Sequence, residues 1–91
     1  MRPVLITTEF GGVFFGYAED TSGDTVVLRN ARNCIYWAKS VGGFMGLASI
    51  GPDADCRIGA LVEEIELRKV TSVAEVSESA VKAWEGAPCV V

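Results

Sequence analysis

The residues best suited to chemistry in this chain lie close together: Arg29-Asn30-Ala31-Arg32-Asn33, then Tyr36-Trp37, then Gly42-Gly43-Phe44. A guanidinium presents a planar fork of donors that matches phosphate or carboxylate. An asparagine side chain both donates and accepts, as reading the edge of a base requires. Tyrosine and tryptophan offer faces for stacking, and glycines let backbone N–H groups approach an anion closely. Combined, these residues describe a pocket for a small nucleotide-like ligand. Arg32 with Arg29 or Arg57 would hold phosphate, Tyr36 or Trp37 would stack a base, and Asn30 and Asn33 would set specificity. Gly43, Phe44 and Ser49 complete the candidate set. If one regular strand carries the stretch, Arg29 and Asn33 share one face while Asn30 and Arg32 share the other. A competing reading needs no ligand: asparagines stabilise turns, surface arginines pair with acids, and Tyr36 and Trp37 belong to the core.

Other chemistries find less footing. Gly42-Gly43-Phe44-Met45-Gly46 lacks the lysine of a phosphate loop and does not fit the dinucleotide fingerprint. Asp53, Asp55, Glu63, Glu64 and Glu66 match no calcium-loop spacing. The chain has no histidine, so the commonest metal ligand and general base are missing, and Cys34 and Cys56 lack the usual activating partner. No catalytic residue, metal site or cofactor is expected.

Composition narrows the partners. The formal charge is −4, from 8 basic and 12 acidic residues, so long-range attraction to duplex DNA or RNA is not expected. Hydrophobic residues make up 49% of the 91, and mean hydropathy is +0.30. That surplus over one small core points to a homo-oligomer. Three widely spaced cysteines suit neither a disulfide framework nor a zinc knuckle. With no signal peptide or membrane span in view, the cytosol is the expected compartment.

The elements that must position these residues read as one mainly β domain over 1–91, α+β in class: a β meander or small barrel-like sheet with one or two short helices. Pro3–Thr8, Val13–Glu19 and Thr25–Arg29 are β-forming runs separated by Gly-containing turns. Cys34–Trp37 is strand-like in composition and reads as a separate fourth strand. Gly42–Ala48 suits a short helix despite its glycines, and Asp53–Gly59 reads as loop. Ile65, Leu67 and Lys69 alternate with Glu64, Glu66 and Arg68, a period of two, and the strand extends through Val73–Val76 past a bend at Thr71-Ser72. Ser77 is placed to cap a last helix whose Ala80, Val81 and Trp84 share a face, with Trp84 its anchor. The apolar tail from Pro88 to Val91 is expected to pack on the body or on a neighbouring subunit.

Val13-Phe14-Phe15-Gly16-Tyr17, Ala31-Arg32-Asn33-Cys34-Ile35-Tyr36-Trp37, Gly43-Phe44-Met45-Gly46-Leu47-Ala48 and Val81-Lys82-Ala83-Trp84-Glu85 together resemble an uncharacterised family of small phage and prophage proteins. The resemblance runs from about Pro3 to Pro88 and is most specific over Ala31–Trp37. It brings no assigned activity. A looser likeness in kind, to phage proteins that sequester nucleotide signals of bacterial defence, implies an anti-defence sponge: a non-catalytic, self-associating binder of a nucleotide-derived ligand. The alternative is a phage interaction module that blocks or scaffolds a host or virion protein, through an apolar patch around Phe14, Phe15 and the C-terminal tail.

Overall fold

A computed structural model describes residues 1–89 of the chain. Its centre is β1 (Arg2–Thr8), in which Val4, Leu5 and Ile6 are each 0% exposed. Three consecutive buried residues on a strand require cover on both faces, since alternate side chains point in opposite directions. Leu5 joins one hydrophobic cluster, with Phe15, Leu47, Ile58 and Trp84, while Val4 and Ile6 join another, with Val26, Leu28 and Leu67.

β1 pairs antiparallel with β2 (Val13–Ala18), and β2 pairs antiparallel with β3 (Val26–Tyr36), which is the expected meander. The far edge of β3 is lined in two stretches: β4 (Arg57–Ile58) beside Cys34–Tyr36, and β5 (Val62–Leu67) beside Val26–Ala31. β6 (Val70–Glu75) pairs with β1 at the other end of the sheet. Only Arg68 and Lys69 separate β5 from β6, yet these strands border opposite ends of the strand order. The sheet must therefore curl until its ends approach, giving a barrel-like form around Val4, Ile6, Val26 and Leu28. Lys69 makes the corner with φ 56°, and the corner is tied by Glu9 N–H to Lys69 O at 2.9 Å and Val70 N–H to Asp24 O at 2.9 Å.

Three expectations change. The run Thr25–Arg29 and the strand-like Cys34–Trp37 are parts of one 11-residue strand. Arg57 and Ile58, inside the loop assigned to Asp53–Gly59, form a short strand because they pair with Tyr36 and Cys34. The bend after β5 falls at Arg68-Lys69 and not at Thr71-Ser72, so Lys69 turns the corner instead of continuing the alternation.

A helical layer covers one face. A 3-10 turn (Lys39–Val41) leads into α1 (Gly43–Ser49), and α2 (Glu78–Gly86) lies beside it. Gly46 allows the tight approach of α1 to that turn, since a Cβ there would sit 1.4 Å from Val41 O. Ser77 caps α2 as expected, its Oγ accepting from Ala80 N–H at 3.1 Å and donating to Ser49 O at 2.7 Å. Trp84, 0% exposed, stacks on Phe15 with ring centroids 5.3 Å apart and planes 7° apart, and its Nε1–H donates to Leu47 O at 3.0 Å. The indole thus bridges sheet, α1 and α2, and burying a side chain such as Phe15 beneath it contributes about 2–3 kcal/mol. Among the described residues no helix is long and apolar enough to cross a membrane.

Candidate functional site

Position 30 decides where the arginines go. Tyr17 lies opposite Arg29 and Phe15 opposite Arg32, so β3 holds one more residue than β2 over that interval. The extra residue makes a bulge, and Asn30 stands in it with φ 50°. Side-chain alternation shifts by one: Leu28 and Ala31 both enter the inner cluster. Arg29 and Arg32 therefore project from the same side of the sheet, and Asn33 from the other, which corrects the facing expected for a regular strand. Gly16 sits across from the bulge, where a Cβ would lie 3.2 Å from Arg29 O.

Arg32 is buried, 6% exposed, under the helical layer. Its Nε–H donates to Gly59 O at 2.9 Å, and its Nη1 donates to Trp84 O at 2.9 Å and to Ala87 O. Trp84 and Ala87 belong to the last turn and C-cap of α2, where the helix dipole is negative and carbonyls lack helical partners. The guanidinium is thus the cap of α2 and a clasp joining β3, the segment after β4 and the helix. Among the described residues no carboxylate lies within 4.0 Å of it, so carbonyl dipoles offset its charge. A donor engaged in this way gives a phosphate little to bind.

Arg29 is exposed and pairs with Glu64 at 3.1 Å, the residue opposite it on β5. It borders two shallow depressions of about 290 and 390 Å³, one shared with Glu19 and Asp20, the other with Asn30, Glu63 and Glu64. Four carboxylates around one guanidinium repel an anion. The remaining candidates scatter. Tyr36, 55% exposed, and Trp37 lie with Ile35 at the far end of β3, and Arg57 stands opposite Tyr36. At about 3.3 Å per residue that end is roughly 20 Å from Arg29. Gly43 begins α1 with φ 73°, Phe44 packs against the helical cluster, and Ser49 Oγ donates back to Met45 O at 3.0 Å. Tyr36, Trp37 and Arg57 are brought together, and so are Arg29 and Asn30. All ten residues do not share one site.

The Cys34 thiol is not poised for attack. Burial, with a smaller contribution from nearby Cys56, pushes the Cys34 thiol up to about 11, so it is protonated at neutral pH. Cys56 Sγ donates to Asp53 Oδ1 at 3.5 Å. No group of three or more metal-ligating side chains occurs among the described residues.

The site that residue types did not signal is apolar. Phe14, Ala31, Arg32, Asn33, Ala60, Val62 and Ile65 line a groove of about 240 Å³ where β3, the segment after β4 and β5 meet. Val62 is 46% exposed in the groove and Leu61, before it in the chain, 58%, while Ile35, 56% exposed, lies farther along β3 beside Tyr36 and Trp37. Asn33 holds the segment in place, its carbonyl accepting Gly59 N–H at 2.9 Å. Val62 is out of phase with Ile65 and Leu67, and that break in the period of two was the legible trace of this surface. Of the expected apolar patch, Phe14 lines the groove but Phe15, 1% exposed, is core. Cys89 forms a parallel bridge to Ile58, while Val90 and Val91 of the expected packed tail lie outside the described residues.

No curated protein and no solved structure matches the chain. A family model does, over residues 1–84, covering the whole barrel-like sheet and α1 and most of α2. By that match the chain belongs to the family described as a domain of unknown function, DUF6948.

Proposed function

We propose that this domain is a non-catalytic interaction module that docks another protein on the groove beside β5, so as to block or scaffold it. The observation that carries this reading is the apolar groove walled by Phe14, Val62 and Ile65, with Val62 46% exposed in it and Leu61, next to it in the chain, 58% exposed. Contiguous apolar surface left bare on a small domain gains free energy only when something covers it. The phage setting implied by the resemblance suits such a module, acting in the host cytosol on a host or virion protein. Sequestration of a nucleotide-like ligand receives less support, because Arg32 caps a helix and Arg29 sits among acids.

A photo-crosslinking residue placed at Val62, with a second protein carrying it at exposed Glu78 on α2, tests the reading in cells of the source organism. The expected result is an adduct of discrete mass from position 62 alone. The captured protein, once identified and purified, should bind the domain and lose at least tenfold affinity to Val62→Lys. Equal labelling from both positions, or a purified partner indifferent to Val62→Lys, would refute it.

A further inference from the structure

We propose that the outer edge of β5 receives an extended segment of the partner as an added strand, one in which Lys or Arg alternates with apolar residues. The inference rests on the groove being a docking surface and specifies how the partner is held and what chemistry it carries.

Among the described residues, β5 is bonded on one side only. Its inner edge pairs with β3 from Val26 opposite Leu67 to Ala31 opposite Val62, and among the described residues no strand lies on its outer edge. Such an edge presents a row of N–H and C=O groups that a further strand satisfies. The structure contains the beginning of this arrangement. β4 lines the same edge of β3 as β5, and Cys89 lies parallel to Ile58 as an isolated bridge. Backbone can therefore be added beside β4, and the same border of the sheet runs on along β5.

The side chains say which strand fits. Glu63, Glu64 and Glu66 fall within β5, and Glu19 and Asp20 share the adjoining depression with Arg29. Against these five carboxylates stand Arg29, paired with Glu64, and Arg68, paired with Glu66 at 2.9 Å. The surplus is negative, so cationic side chains on the incoming strand are favoured. A second copy of this chain is the wrong occupant, because β5 against β5 sets glutamate beside glutamate. Alternate residues of an added strand point to opposite faces, so every second one faces the groove that Val62 and Ile65 line and is best apolar.

The test uses two capped synthetic peptides, four Lys-Val repeats and four Glu-Val repeats, titrated against the full chain. Binding is read by fluorescence anisotropy and by backbone amide hydrogen exchange. The Lys-Val peptide should bind saturably and slow exchange within Glu63–Leu67 at least tenfold, and the Glu-Val peptide should do neither. The double substitution Glu63→Lys, Glu66→Lys, at exposed positions, should weaken Lys-Val binding at least tenfold. Absence of saturable Lys-Val binding, or binding without slowed exchange in β5, would overturn strand addition. Equal binding of the two peptides would overturn the stated chemistry. These failures leave the crosslink from position 62 free to stand, so loss of this inference is distinguishable from loss of the docking surface itself.

Discussion

The two sides of β3 treat apolar and polar groups in opposite ways. Beneath α1 and α2, Trp84, Phe15 and Leu47 are covered almost completely, and even a guanidinium is satisfied by three carbonyls. Along β5, Val62 and the preceding Leu61 are left about half exposed, as is Ile35 farther along β3, and a strand edge has no neighbour among the described residues. Both regions draw on one stretch of sequence, Ala31–Ile35, whose alternate residues serve one or the other. The lesson is that the chemically suggestive residue, Arg32, belongs to the covered side and holds the scaffold. The bland ones, Val62 and Ile35, belong to the side that can still gain by association.

Substitutions on the two sides should separate stability from binding. Trp84→Ala removes the bridge between helices and sheet and should lower stability by about 4 kcal/mol, read from urea unfolding. A wild-type urea midpoint for that variant would mean the helical layer is not held as described. Ser77→Ala deletes the α2 cap and its bond to Ser49 O, and a loss of about 1 kcal/mol is expected in the same assay.

Tyr17 supplies a pH-dependent version. Burial, together with its hydrogen bond to Glu85, raises its phenol from 10.0 to about 12. The fold favours the neutral phenol, so its contribution is complete below pH 10 and is lost as pH rises toward 12. The stability advantage of wild type over Tyr17→Phe should therefore shrink across that interval, and a constant difference would contradict the assignment. Smallest of all, Val62→Ser should change stability by no more than about 0.5 kcal/mol while abolishing the crosslink-defined partner's binding. A large loss of stability there would place Val62 in the core after all.

Much of this was legible in the residues. The meander followed from β-forming runs broken at Gly11-Gly12 and Ser22-Gly23, the α2 cap from Ser77, and the anchor from the spacing of Ala80 and Trp84. The misreadings share a cause. Asn30 and Lys69 adopt positive φ without being glycine; asparagine tolerates that region without requiring it and lysine rarely enters it, so local propensity did not mark the bulge or the corner. The bulge then moved Arg32 onto the helical side, where its acceptors Trp84 and Ala87 lie 52 and 55 residues away. Side-chain type announces what an arginine can bind, and only the tertiary path decides what it does bind. The apolar groove was faint for the complementary reason: Phe14, Ala31, Val62 and Ile65 each look like core in sequence, and their meeting in one surface groove depends on the junction of β3, the segment after β4 and β5.

The most direct test of the whole account is the unfolding free energy of Arg32→Ala. If the guanidinium clasps β3, the segment after β4 and α2 from within, its removal leaves buried carbonyls without donors and should cost about 3 kcal/mol in urea unfolding. A variant as stable as wild type would show that this side chain is not held inside, and would return it to solvent as a candidate anion ligand.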